Sequence, residues 1–199
     1  MAAGTAIWAV GDGVTLPAAA AAVADDGAPG GPFDPGVGHH LEAADQVVAL
    51  AGEDPVGRMG RQGRAMVAGG PRASQIARVL GVEDGEVQEP IRIFIGLHNL
   101  EPTETPDYEA MAQEAIDEMH RTGAFDRGHI AVMSGAGTGW INDFHTSGFE
   151  FVTRGDSAIV SMQYSYLPSV FSYLVDKNAP KQAARELIRV IQEEIDKLP

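Results

Sequence analysis

Three short apolar runs, rich in β-branched residues, stand out in the second half of the chain. They are EPIRIFIGL at 89–97, HIAVMS at 129–134 and SAIVSM at 157–162. Each has the length of a strand, and the first is bounded by the turn-forming residues Pro90 and Gly96. Because the runs are almost continuously apolar, they are typical of strands that are buried on both faces of a sheet.

Helical patterns lie between and after these strands. Thr105 is predicted to cap one helix, with Pro106 at its first position. The apolar residues of the last helix recur every three or four positions, as they do in a helix that packs one face on a core. The predicted helices are PRASQIARVLG at 71–81, the segment after Thr105, the segment around SGFEFVTR at 147–154, and about Pro180–Lys197.

The alternation of strands and helices predicts the fold class. Strands that are joined by helices lie parallel and are connected by right-handed crossovers. We therefore expect an α/β fold with three layers, in which a mostly parallel sheet is flanked by helices. Because SAIVSM is the last predicted strand, we expect one of its edges to be unpaired. An open apolar edge would favour self-association or pairing with a complementary fragment.

The first part of the chain differs from the rest in composition. Residues 1–57 contain no Lys or Arg, eight acidic residues, and repeated Ala, Gly and Pro. This composition predicts a loosely structured or disordered segment, with a short helix around HHLEAADQVVAL at 39–50 as the exception. We therefore divide the chain into a low-complexity segment at 1–57 and a folded domain at 58–199.

Charge and composition exclude several functions. The net charge of -14 argues against a nucleic-acid partner and against an anionic membrane surface. The absence of cysteine excludes disulfides, thiolate metal sites and cysteine nucleophiles, and it leaves the cellular compartment undetermined. The most apolar stretch, from Ala2, is broken by Gly11 and Pro17, so neither a transmembrane helix nor a signal peptide is predicted. The adjacent His39 and His40 are more typical of surface residues than of metal ligands, and no metal or cofactor is predicted.

The segment GAGTGW at 135–140 directly follows the second strand, where parallel sheets bind ligands. Its glycine spacing does not fit the dinucleotide fingerprint, and it lacks the lysine of a phosphate-binding loop. An oxyanion loop fits better, because glycines let backbone N–H groups approach a developing negative oxygen. The candidate donors are Gly137, Thr138 and Gly139. The alternative is a turn that only redirects the chain beneath Trp140.

Ser165 is a weak candidate for a nucleophile. It follows the third strand and lies between Tyr164 and Tyr166, and His145 and Asp143 occur earlier in the chain. A serine nucleophile needs a base within hydrogen-bonding reach and an acid that orients the base. The alternative, which we favour, is that both tyrosine rings pack and Ser165 caps the following turn.

Several stretches together resemble a known family. They are GRQGR at 60–64, VAGGP at 67–71, EPIRIFIGL, RTGAFDR at 121–127, GTGWI at 137–141 and, most specifically, GDSAIVSMQYSYLPSVFSYLVD at 155–176. In this order they resemble the actinobacterial α/β-hydrolase catalytic-domain family, whose members are mostly predicted membrane proteins. The resemblance covers roughly residues 57–199.

The resemblance implies a serine-hydrolase-type activity on an ester or acyl substrate. In the family, a G-x-S-x-G nucleophile elbow follows the region equivalent to residues 57–199, and no such motif occurs here, since GDSAI at 155–159 lacks the final glycine. The chain therefore resembles the N-terminal half of a hydrolase domain and is expected to be inactive alone. Residues 137–139 would form the oxyanion loop, and Trp140, Tyr164 and Tyr166 would line the pocket. The alternative is a non-catalytic fragment that acts as a binding or assembly module.

Overall fold

The computed structural model describes residues 5–10, 59–97 and 105–198. It confirms the predicted fold class, with parallel strands between layers of helices. The strands are β1 (Thr5–Val10), β2 (Ile91–Ile95), β3 (His129–Ser134) and β4 (Ser157–Met162). The helices are α1 (Gly60–Ala68), α2 (Ala73–Leu80), α3 (Tyr108–Thr122), α4 (Asp143–Val152), α5 (Ser169–Val175) and α6 (Ala179–Ile195).

The first strand lies inside the segment that the sequence predicts to be loosely structured. β1 pairs in parallel with β3, from Thr5 opposite His129 to Val10 opposite Ser134. The remainder of residues 1–57, including the helix predicted at 39–50, lies outside the described residues, and the domain boundary at residue 57 stays a prediction. In the part of the chain that the structure describes, no helix is long and apolar enough to cross a membrane.

The order of the strands in the sheet is β1-β3-β4-β2. The expected open edge at SAIVSM is therefore wrong, because β4 pairs with β3 on one side and with β2 on the other. On the side of β4 away from β3, the edge strand of the sheet is β2, whose five residues are each at most 2% exposed. β4 comes after β2 and β3 along the chain but lies between them in the sheet. Self-association through an open β4 edge therefore has no structural basis.

The two crossovers explain the three layers. The chain passes from β2 over β4 to β3 through α3, and then returns in the opposite direction from β3 to β4 through α4. Right-handed connections that run in opposite directions place their helices on opposite faces of a sheet. Accordingly, α3 and α6 cover the face that carries Ile93, Val132 and Val160. α1 and α4 cover the other face, which carries Phe94 and Ile159.

Local capping sets the start of α3 two residues later than predicted. Asp107, and not Thr105, is the N-cap, and its carboxylate accepts a hydrogen bond of 3.0 Å from the Ala110 N–H. Asp satisfies an N-terminal N–H group of a helix as well as Thr does, so a sequence with both leaves the start ambiguous. Gly123 ends the helix in a left-handed conformation with φ 72°.

A buried ion pair ties β2 to the helices on the α1/α4 face. Arg92 Nε and Nη2 donate to the two carboxylate oxygens of Glu150 at 2.7 and 2.8 Å, and Nη1 donates to the Met66 carbonyl at 2.6 Å. The two side chains are 2% and 0% exposed. Burial raises the pKa of Glu150, and the hydrogen bonds and charge of Arg92 oppose that rise. The pair therefore links β2 to α1 and α4 on this face of the sheet.

Candidate functional site

The candidate site lies where the sheet changes the direction of its connections. The loop after β3 (residues 135–142) leads to α4 on one face, and the loop after β4 (residues 163–168) leads to α5 and α6, with α6 on the opposite face. β3 and β4 are neighbours, so the two loops diverge from adjacent carboxyl ends. Ligands of open parallel sheets bind in the crevice that such a divergence creates.

Hydrogen bonds within the loop after β3 make it compact. The Ala136 N–H donates to the Trp140 carbonyl at 2.8 Å, and the Gly139 N–H donates to the Ala136 carbonyl at 2.8 Å. Gly139 has φ 86°, and a Cβ there would lie 2.5 Å from Cζ of Phe94. The glycine is required both by the backbone conformation and by the Phe94 ring beneath it.

The two loops contact each other directly. The Ser165 N–H donates to the Gly137 carbonyl at 3.0 Å, and the Gly137 N–H donates to Ser169 Oγ at 3.2 Å. A Cβ on Gly137 would lie 2.0 Å from the Leu167 carbonyl oxygen. Backbone contact at this distance is possible only for glycine, so residue 137 is where the β3 and β4 loops meet.

The three predicted oxyanion donors are not equivalent. The N–H groups of Gly137 and Gly139 are already engaged, by Ser169 and by Ala136. The Thr138 N–H donates to no acceptor among the described residues, and Thr138 is only 8% exposed. Thr138 is the third residue of the turn that the Gly139–Ala136 hydrogen bond closes, and its N–H takes no part in that bond. Thr138 is therefore the donor that is available in this structure.

The three aromatic residues predicted to line a pocket have different environments. Tyr164 is 7% exposed, and its hydroxyl donates to Ser169 Oγ at 3.4 Å. Tyr166 packs against the α3/α6 core, and its hydroxyl donates to the Leu97 carbonyl at 3.4 Å. Trp140 is 40% exposed. Of the three, Trp140 alone presents a large exposed surface.

A buried tyrosine that the sequence analysis did not assign to the site supports the β4 loop. The Tyr108 hydroxyl, at the start of α3, donates to the Tyr164 carbonyl at 2.9 Å. Burial, together with the nearby Asp176 carboxylate and the Tyr164 hydroxyl, raises the pKa of Tyr108 to about 12. The neutral phenol is the form that donates this hydrogen bond, so it is retained throughout the physiological range of pH.

Gln163 is a site residue that the sequence reasoning missed. It is 1% exposed, its backbone N–H donates to the Ile95 carbonyl at 2.8 Å, and its side-chain amide donates to the Ser165 carbonyl at 2.8 Å. The signal was present in the strand pattern, because a polar residue directly after an apolar strand lies at the carboxyl edge of the sheet. Gln163 connects the end of β2 to the turn after β4.

The structure gives Ser165 a local role. Its Oγ accepts a hydrogen bond of 3.0 Å from the Leu167 N–H, the arrangement of a serine that caps a turn. Asp143 and His145 lie exposed in the first turn of α4, and in the described part of the chain no hydrogen bond joins either of them to Ser165. The hypothesis of a nucleophile at Ser165 stays a prediction.

Metal-binding side chains do not cluster in the described residues. No group of three or more His, Asp or Glu side chains there is placed to hold an ion. The histidine pair at 39–40 lies outside the described ranges.

A model described as an alpha/beta-hydrolase family matches residues 91–199, which is more than half of the 199-residue chain. The chain belongs to this family. No curated protein and no solved structure was found to match it. The match of this alpha/beta-hydrolase begins at β2 and includes both loops of the site, so the region that carries the family likeness is the region that carries the site geometry.

Proposed function

We propose that the chain provides the oxyanion-stabilising part of a serine-hydrolase-type active site that acts on an ester or acyl substrate. One observation carries the proposal: the N–H of Thr138, a residue that is 8% exposed, has no acceptor in the described residues and lies in a glycine loop at the divergence of β3 and β4. Acyl transfer needs a fixed donor at this kind of position, because negative charge develops on the carbonyl oxygen in the transition state.

The packing of the loop supports this role. An oxyanion donor is effective when it is held in place before the reaction, so that no energy is spent on reorganisation. Here the Phe94 ring packs against Gly139, and the Ser165 N–H donates to the Gly137 carbonyl. Thr138 lies between these two fixed glycines. The hydrogen bond from the Gly139 N–H to the Ala136 carbonyl also closes a turn, which leaves the N–H of its third residue, Thr138, outside that bond and so available to an anionic oxygen.

The nucleophile is proposed to come from outside these residues. The nearest approach to a nucleophile motif, GDSAI at 155–159, places Ser157 at the amino end of β4, where it is 0% exposed. That end of a parallel strand is opposite to the end that carries the glycine loop. A downstream segment or a complementary chain would therefore supply the serine, as in the membrane-associated actinobacterial hydrolases that the sequence resembles. Trp140, with the edges of Tyr164 and Tyr166, would contact the apolar part of the substrate.

A fluorophosphonate probe tests the position of the nucleophile. The purified 199-residue chain and the native gene product isolated from its host are each incubated with the probe and analysed by intact-mass and peptide mass spectrometry. We expect no stoichiometric adduct on any serine of residues 1–199, and one labelled serine in a peptide outside them in the native preparation. A stoichiometric adduct on Ser165 would overturn the proposal of an external nucleophile.

A change of one backbone atom tests the oxyanion role. Replacing the amide of Thr138 by an ester, with the side chain kept, removes only its N–H. The variant is made in the full-length gene product that contains the nucleophile. We expect the rate at which the fluorophosphonate probe labels that nucleophile to fall by roughly 10²–10³-fold, the usual effect of losing one oxyanion donor. The matched control, Thr138→Ala, keeps the N–H and should change the rate by only a few fold. Equal rates for the amide and the ester would remove the loop from the mechanism.

A second candidate function is that of a binding or assembly module. The observation that favours it is the apolar surface of α5, where Phe171, Leu174 and Val175 are 49%, 75% and 77% exposed. Surfaces of this kind often mark contacts between proteins. Light scattering after size-exclusion chromatography distinguishes the candidates: a concentration-dependent dimer that Leu174→Glu dissolves would favour assembly. A monomer at every concentration would leave this candidate without support.

A further inference from the structure

β1 comes from a part of the chain far from the other strands, and it closes one edge of the sheet. It pairs in parallel with β3 and, among the described strands, with no other. The match to the alpha/beta-hydrolase family begins at Ile91 and does not include β1. The matched region therefore contains β2, β3 and β4, and the outer side of β3 is covered by a strand from outside it.

The helices on the α3/α6 face lie in a definite order across the sheet. α3 packs over β2 and β4, and α6 packs over β4 and β3. The two helices end side by side, since Glu194 Oε2 near the end of α6 lies 3.4 Å from His120 Nε2 near the end of α3. After α3 the chain turns into β3. The end of α6 therefore lies at the amino edge of the sheet, where parallel strands begin.

The hand of parallel connections predicts where a strand after α6 would lie. The chain moves from β2 to β3 through α3, and back from β3 to β4 through α4 on the other face. Because α6 lies on the same face as α3, a right-handed connection through α6 moves in the same direction as the connection through α3. From β4 that direction leads past β3 to its outer side. β1 already lies in that place.

We propose that β1 is an exchangeable strand, which occupies the outer edge of β3 until a strand that follows α6 and leads into the nucleophile pairs there instead. Both states use the same backbone N–H and C=O groups of β3, so the two strands exclude each other. An edge strand with a single partner is the kind of element that opens locally, below the free energy of global unfolding. This inference concerns how the proposed active site is completed, and it rests on the proposed function.

Distance favours exchange over the addition of a strand beyond β1. Neighbouring strands lie about 4.7–4.9 Å apart, so a strand beside β3 ends about 5 Å from the end of β3, whereas one beyond β1 ends about 10 Å from it. The glycine loop extends toward β4, since a Cβ on Gly139 would lie 3.5 Å from Gln163 Cγ. A nucleophile and an oxyanion donor act on one carbonyl group, so Thr138 requires the nearer strand.

Disulfide trapping tests the exchange without any chemistry at the site. Residues 1–199 contain no cysteine, so the variant Thr5→Cys/His129→Cys places one thiol on β1 and the other at its Cα partner on β3. Neighbouring strands lie within the span of a disulfide. We expect oxidised glutathione to join the pair readily in the chain of residues 1–199. In the full-length gene product we expect a rate at least roughly tenfold lower, because the rate follows the fraction of molecules in which β1 is paired. Equal rates in the two proteins would overturn the exchange.

Two further cysteine pairs make the comparison specific. Val10→Cys/Ser134→Cys joins the same strands at their other end and should show the same difference, so the test does not depend on the folding of one variant. The control Ile91→Cys/Ala158→Cys joins β2 to β4, which stay paired in both states, and it should oxidise at the same rate in both proteins. A control that slows as much as the β1 pairs would show that the whole sheet differs between the two proteins, and it would overturn the exchange.

The two proposals can fail separately. In the full-length gene product, the purified oxidised form of Thr5→Cys/His129→Cys should react with the fluorophosphonate probe at least roughly tenfold more slowly than the same protein after reduction, since a fixed β1 excludes the other strand. Equal labelling would overturn the exchange, because the nucleophile would then be in place beside a paired β1. An unchanged rate for the Thr138 ester would refute the hydrolase role alone, whatever the rates of disulfide formation.

Discussion

The buried pair of Arg92 and Glu150 allows a sharp test of what holds β2 to α1 and α4. Glu150→Gln keeps the size of the side chain and removes its charge. An amide cannot accept both hydrogen bonds that Arg92 now donates at 2.7 and 2.8 Å, so one amide N–H would face a guanidinium N–H. The guanidinium cannot lose its proton, and at 2% exposure it cannot reach water.

The magnitude follows from this burial. Removing one partner of a buried ion pair leaves an uncompensated charge and costs about 3–5 kcal/mol. Domains of this size are stable by only about 5–15 kcal/mol, so the variant should lose a large part of its unfolding free energy. Urea denaturation followed by circular dichroism measures the loss. The m-value should stay constant if the folded state keeps its compactness.

Two controls make the interpretation specific. Glu193→Gln removes a carboxylate that also pairs with an arginine, Arg189, but that is 55% exposed, and it should have a far smaller effect. The double variant Arg92→Met/Glu150→Met removes both charges and should recover most of the loss, because no unpaired charge remains. A loss below about 1 kcal/mol for Glu150→Gln would refute the reasoning, since a desolvated guanidinium cannot lose its counterion so cheaply.

Three further predictions concern the glycine loop, a buried hydroxyl and a buried phenol. Gly137→Ala should lower the unfolding free energy measured by urea denaturation by at least about 2 kcal/mol, because its Cβ would lie 2.0 Å from the Leu167 carbonyl oxygen. The control Gly148→Ala lies in α4, where a Cβ would have no neighbour within 4 Å among the described residues, and it should raise the unfolding free energy by about 0.5–1 kcal/mol. Ser161→Ala should raise the unfolding free energy by up to about 1 kcal/mol, because the Ser161 hydroxyl is buried without a hydrogen-bond partner in the part of the chain that the structure describes; a clear loss would contradict this. Tyr108 has a folded-state pKa raised to about 12, above its unfolded value near 10, so its contribution to stability is fully present below about pH 10 and is lost as the pH rises through about 12. Ultraviolet titration should show one late-ionising phenol that Tyr108→Phe removes, and a titration in which all phenols ionise near pH 10 would refute it.

Local patterns along the chain were enough to predict the elements around the site. The apolar runs at 91–95, 129–134 and 157–162 became β2, β3 and β4, because a strand buried on both faces must be apolar at successive positions. The same patterns placed the glycine loop at a carboxyl end and so predicted where a ligand would bind. α5 was not predicted, since a short helix with five exposed apolar residues has no amphipathic pattern to recognise.

What the sequence could not decide is which groups meet. The order β1-β3-β4-β2, which overturned the expected open edge of β4, depends on pairings between residues far apart in the chain. The engagement of the Gly137 N–H by Ser169, 32 positions later, depends on that order. A hydrogen bond is made by two partners, and the sequence around Gly137 contains only one of them. The sequence by itself therefore determined the α/β class and the glycine loop, whereas the tertiary structure decided that Thr138, and not its neighbours, carries the available N–H.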